Sequence, residues 1–82
     1  MAKNTVKLLD VVALTVDIPE YNLRRGQVGT VVELLADGAV FDVEFSDRNG
    51  RTYESVGLRR EKIMVLHFQP APPDIKPEIV TA

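Results

Sequence analysis

The chain has 82 residues, of which 45% are hydrophobic and 27% charged, with ten basic and twelve acidic side chains and no cysteine. That length suits one domain of ordinary globular composition, with a core too small to enclose a large cofactor. The missing cysteines exclude disulfides, thiolate metal sites and cysteine nucleophiles, and the formal charge of -2 opposes non-specific binding to phosphate backbones.

Residues 1–7, MAKNTVK, read as an N-terminal arm. Asp10 and Asp17 interrupt the apolar stretch that follows, and no small-residue cleavage site appears, so no signal peptide is expected. No apolar run nears the roughly 20 residues that cross a bilayer, which predicts a soluble, cytoplasmic protein. LLDVVALTV over 8–16, rich in Leu and Val, predicts the first strand. The next ten residues, DIPEYNLRRG, predict a loop: Pro19 biases Ile18 to extended geometry, and Ile18, Tyr21 and Leu23 are apolar enough to lie across an open end of a sheet.

QVGTVVELL over 27–35 predicts a second strand, bent at Gly29 by a bulge or a close backbone approach. Asp37 and Gly38 supply the positive φ of a tight hairpin. AVFDVEFS over 39–46 then alternates, with Phe41, Val43 and Phe45 on one face and Asp42 and Glu44 on the other. Asn49 and Gly50 suit the positive-φ positions of a second turn. RTYESV over 51–56 is a fourth strand, GLRREK over 57–62 a 3₁₀ connector, and IMVLHF over 63–68 a fifth strand. From Gln69 the sequence QPAPPDIKPEIVTA carries four prolines in fourteen residues, a density that neither a core helix nor a central strand tolerates; residues 69–82 read as a flexible Pro-rich tail. Its Pro70-Ala71-Pro72-Pro73 segment has PxxP spacing, and Ile75, Ile79 and Val80 are candidates to anchor on a partner or to add an edge strand, although a flexible tail is the simpler reading.

Five short strands, two tight hairpins, an elaborate first loop and a 3₁₀ turn before the last strand predict an all-β, five-stranded antiparallel SH3-like barrel over residues 8–68. The expected core is Val12, Val28, Val31, Phe41, Val43, Phe45, Ile63 and Val65. LRRGQVGTVVELL, from Leu23 to Leu35, resembles the KOW motif of SH3-like barrels. The longer run LLDVVALTVDIPEYNLRRGQVGTVVELLADG, continuing through FDVEFSDRNGRTY, resembles a family of small bacterial proteins known as a domain of unknown function; the resemblance covers roughly residues 8–66. It implies an SH3-like fold in a stand-alone small protein and brings no catalytic residues with it. It also suggests an antitoxin-like or accessory partner of a neighbouring gene product.

Functional signals are few. Gly26 and Gly29 lack the Lys-Ser or Lys-Thr pair and the βα unit of a phosphate loop, so a turn and a bend explain them. His67 is the one histidine, too few for a histidine metal site, and reads as structural or surface. Asp42 and Glu44 share a face, a geometry that suits a cation or an acid/base pair, but a solvated strand face explains them equally. No serine or threonine sits in a nucleophile motif. The sequence therefore predicts no catalytic set, no metal site and no cofactor.

The six arginines are grouped as Arg24 and Arg25, Arg48 and Arg51, Arg59 and Arg60, each group beside a predicted turn. Arginine forms bidentate contacts with carboxylates and phosphates and is enriched at interfaces, so these six, with Tyr21 and Tyr53, are the candidate binding residues, combined as one basic rim if the loops converge. The plainer reading pairs them with Glu20, Asp47, Glu54 and Glu61 as exposed ion pairs worth little each. The expectation is a non-catalytic module that binds one specific protein, with a KOW-like RNA- or ribosome-associated module as the alternative and a small enzyme last. A chain ending at Gln69 is expected to keep a cooperative melt near that of the full chain; a large loss in melting temperature would show that residues 70–82 pack on the domain.

Overall fold

The computed structural model describes residues 5–70. The tail expected over 69–82 lies outside the described residues from position 71, as do the first four residues of the arm. Five strands form, β1 (Val11–Leu14), β2 (Val28–Leu35), β3 (Val40–Ser46), β4 (Thr52–Arg59) and β5 (Ile63–Val65), with 3₁₀ turns at Pro19–Tyr21, Ala36–Gly38 and Arg60–Lys62. All pairings are antiparallel, in one sheet of order β4-β3-β2-β1-β5. Among the described residues there is no α-helix, and no helix long and apolar enough to cross a membrane.

The sheet is open, unlike the closed barrel that the sequence suggests: β4 and β5 are its two edges. β5 has three residues, all paired to β1 through Val12↔Val65, Ala13↔Met64 and Leu14↔Ile63. So short a strand has little edge left to close a ladder on β4. The core lies on one face, in rows of directly opposite residues. One row runs Val65–Val12–Gly29–Phe45, a second Val31–Val43–Val56 and a third Phe41–Leu58, which Leu34 flanks while 45% exposed. Val12, Val31, Val43 and Phe45 have no exposed surface.

Gly29 explains the close packing of the first row. A Cβ there would lie 2.7 Å from Val43 Cγ1, 2.8 Å from the Glu44 carbonyl oxygen and 3.0 Å from Phe45 Cδ1, so of the two devices expected at Gly29 the close approach is the one present. The β2 bulge falls instead at Val32, between the Val31↔Val43 and Glu33↔Asp42 pairs. By inserting one residue it returns Leu34 to the face of Phe41.

Several expectations are corrected. Val28 is 48% exposed: it stands opposite Ala13 on the outer face, because strand alternation cannot bury both Gly29 and its neighbour. Val65 is only partly buried. Val6, Leu14, Ile18, Leu23, Val56 and Leu58 join the core, so the arm contributes Val6, and the loop contributes Ile18 and Leu23 but not Tyr21, which is 45% exposed. β1 begins only at Val11, since Lys7 and Asp10 close a turn through Asp10 N–H to Lys7 O (3.0 Å) and Lys7 N–H to Asp10 Oδ2 (2.8 Å). β4 runs on through Gly57, Leu58 and Arg59, leaving only Arg60–Lys62 as the 3₁₀ turn; burial of Leu58 against Phe41 extends the strand past the glycine. β5 ends at Val65, although Leu66 N–H still donates to Val11 O at 2.9 Å. Ala36, Asp37 and Gly38 all have positive φ in the first hairpin, whereas in the second only Gly50 does.

Phe45→Ala is expected to lower unfolding free energy by about 3–5 kcal/mol, measured by chemical denaturation. A loss under about 1 kcal/mol would show that the core does not center on this ring.

Candidate arginine surface

Two turns hold four of the arginines, and aspartates organise both. Ile18 and Leu23 exchange backbone hydrogen bonds (Ile18 N–H to Leu23 O 2.8 Å, Leu23 N–H to Ile18 O 3.1 Å), closing the first loop around two buried side chains. The chain leaves this bridge at Arg24 and Arg25. Arg25 N–H donates to Asp17 Oδ1 (2.8 Å), Arg24 N–H donates to the Gln27 side-chain oxygen, and Gly26 N–H reaches Leu14 O (2.8 Å). Gly26 has φ of +93°, a conformation that β-carbon-bearing residues rarely adopt. In the second turn Asp47 Oδ1 accepts from Asn49 N–H (2.8 Å) and Arg51 N–H (3.0 Å), an Asx arrangement that fixes the backbone at Arg48 and Arg51 while leaving both side chains outward.

The sheet brings these turns to the same end. Gly29 at the start of β2 pairs with Phe45, one residue from the end of β3, and Ser46 pairs with Thr52. Gln27 Nε2 donates to the Tyr53 hydroxyl at 2.7 Å, joining the two turns directly. Arg24, Arg25, Arg48, Arg51 and Tyr53 are all exposed. Among the described residues none of these four guanidinium groups is in a salt bridge, so these four arginines form none of the ion pairs expected with Glu20, Asp47, Glu54 and Glu61.

The remaining candidates lie elsewhere. Arg59 stands opposite Val40, seven positions from Thr52 along β4, on the order of 23 Å of strand. Arg60 is half-buried and donates to Ile63 O (2.7 Å), beside a cavity of about 330 Å³ lined in part by Val6, Leu34 and Phe41. The six arginines therefore do not form one rim. Tyr21 belongs to a different feature, a cleft of about 270 Å³ shared with Ile18, Val56, Leu58 and Lys62 and rimmed by Asp17 and Glu20. Sequence reasoning missed Gln27 and Lys62, since only the folded register brings either beside a candidate.

Asp42 and Glu44 hold β4: Ser55 Oγ donates to Asp42 Oδ1 at 3.1 Å and Thr52 Oγ1 to Glu44 Oε1 at 3.4 Å. Among the described residues no group of three or more His, Asp or Glu side chains is arranged to hold a metal ion. His67 is exposed.

Residues 8–65 match the model of the family described as a domain of unknown function, DUF4926. The chain belongs to this family. The match spans all five strands and both arginine turns. No curated protein and no solved structure matches the chain.

Tyr53→Phe removes the acceptor of the Gln27 side chain and is expected to cost about 0.5–1.5 kcal/mol of stability. The same variant should broaden the amide resonances of Arg24–Gln27, which a nuclear magnetic resonance comparison would register; unchanged spectra would show that the bond does not hold the two turns together.

Proposed function

We propose that this chain is a soluble, cytoplasmic, non-catalytic interaction module that binds one specific protein through the end of the sheet carrying Arg24, Arg25, Arg48 and Arg51. The supporting observation is that two aspartate-organised turns, far apart in sequence, converge at the Gln27–Tyr53 hydrogen bond with four guanidinium groups left outside any salt bridge among the described residues. Fixed backbone beneath unpaired arginines reduces the entropy lost on binding, and arginine forks match carboxylates bidentately. The partner in this reading is the product of a neighbouring gene, in the manner of an antitoxin or accessory protein. The fold is read as SH3-like, supported by the strand order, the long first loop and the 3₁₀ turn before the last strand, with Leu23 to Leu35 as its KOW-like segment.

The same guanidinium groups favour a second reading, a KOW-like RNA- or ribosome-associated module. Salt dependence separates the two. Against a protein, Arg25→Ala and Arg51→Ala should each cost more than about 2 kcal/mol, with Arg24 and Arg48 mainly altering association rate. Against RNA, affinity should fall steeply with salt and each Arg→Ala change should lower the slope by a similar step. Low-micromolar RNA binding at physiological salt, with no protein recovered from host lysate, would overturn the protein-binding reading.

A further inference from the structure

The turn before β1 holds a leucine in a backbone conformation that its own chain does little to offset. Lys7, Leu8, Leu9 and Asp10 form a four-residue turn closed by Asp10 N–H to Lys7 O (3.0 Å) and Lys7 N–H to Asp10 Oδ2 (2.8 Å). Leu9, its third residue, has φ of +72°, where glycine or asparagine is the usual occupant and a β-carbon crowds the following carbonyl. The other non-glycine residues described with positive φ are Asn22, Ala36 and Asp37, none of them large and apolar. Leu9 is 69% exposed and Leu8 53%, so burial within the chain relieves little of the strain. Strain of this kind concentrates at binding and switch sites.

Close to this turn lies the cavity of about 330 Å³, lined by Thr5, Val6, Leu34, Gly38, Phe41 and Arg60. Val6 and Phe41 form its buried apolar wall, and half-exposed Leu34 carries the lining out to the surface. Leu9 N–H donates to Val31 O (2.7 Å) and Val31 N–H to Asp10 O (2.9 Å), which ties the turn to β2 three positions from Leu34, about 10 Å along the strand. Neither leucine of the turn lines the cavity of its own chain. The charges of the turn and the cavity are mixed: Lys7 and Arg60, which donates to Ile63 O, stand against Asp10 and Asp37, the neighbour of Gly38.

We propose that two copies of this chain associate about a two-fold axis, each placing its Leu8–Leu9 turn in the cavity beside Leu34 of the other. A protruding apolar turn next to an apolar recess on the same surface is complementary to itself under a two-fold, and such a contact closes at two copies. Balanced charge lets the two like surfaces meet without net repulsion. The contact is small, which sets the association in the weak range of such interfaces. The proposal goes beyond the arginine reading and does not depend on it: the turn carrying Arg24 and Arg25 bonds to Leu14 O through Gly26 N–H, at the opposite end of β1, and stays outside the contact.

Sedimentation equilibrium of the full chain from about 10 μM to about 1 mM measures the association, and a dilution series of the isotopically labelled chain locates it. The expected result is a monomer–dimer equilibrium within that range, with concentration-dependent shifts at the amides of Val6, Leu8, Leu9, Leu34 and Phe41. Leu8→Glu should weaken the dimer at least about tenfold. Leu9→Gly should weaken it by a similar factor yet melt at or above the parent in dilute solution, because glycine adopts the positive φ without strain. Val28→Thr, which alters an exposed valine on the outer face of the sheet, should leave the equilibrium unchanged. A chain that stays monomeric to the top of the range overturns the proposal, as does a dimer indifferent to both leucine variants or one lost with Val28→Thr. A dilute Leu9→Gly chain that melts below the parent also overturns it, since Leu9 would then be packed within its own chain.

Discussion

Gly29 pairs with Val12 on one side and Phe45 on the other, and the fully buried side chains of Val43 and Phe45 close over the space that a side chain at position 29 would take. Any larger residue would meet the Glu44 carbonyl oxygen as well as side chains, and a backbone atom in a paired strand cannot swing aside. The approach of β2 to β3 at this point sets how the N-terminal end of β2 meets the C-terminal end of β3. Both arginine turns hang from those two ends, so their separation is fixed by the packing of Val43 and Phe45 rather than by contacts of their own.

Beyond that packing, short polar side chains do the local work. Asp47 and Asp17 each satisfy backbone N–H groups of the residues that carry the arginines, which ties the arginine backbones down without engaging the guanidinium groups. On the outer face, Asp42 and Glu44 accept from Ser55 and Thr52, so a pair of carboxylates that resembles chemistry in one dimension serves to register β3 against β4. The same sequence pattern thus supports two physical roles, and the cross-strand neighbour decides between them.

The sheet's two edges are unequal, and this asymmetry shapes the surface. β5 is short and continues through Leu66 against β1, while β4 is extended by the burial of Val56 and Leu58. The residues that lengthen β4 are core residues, so the exposed backbone of that edge follows from packing on the inner face. Arginines stand at both ends of this edge, Arg51 just before it and Arg59 as its last residue, and the cleft beside its C-terminal half is lined by Lys62 as well as by apolar side chains.

The order and type of the elements were legible in the sequence because they rest on local chemistry: alternation in AVFDVEFS, positive-φ residues at Asp37–Gly38 and Gly50, a glycine where β2 needs close approach, and Leu–Val strands too short for helices. Core membership was legible only where alternation was unbroken. Val28 was misread because one register step moves a residue to the other face, and Leu58 because GLRREK over 57–62 was read whole as a 3₁₀ connector. The grouping of the arginines was not legible at all. Sequence spacing makes Arg59 a neighbour of the β4 residues just as Arg51 is, yet the antiparallel β3–β4 ladder sends them to opposite ends, while the Gln27–Tyr53 bond joins turns some twenty-six positions apart. Local propensity sets what each segment becomes; which side chains finally meet depends on register and on the core that fixes it, and those are properties of the whole folded chain.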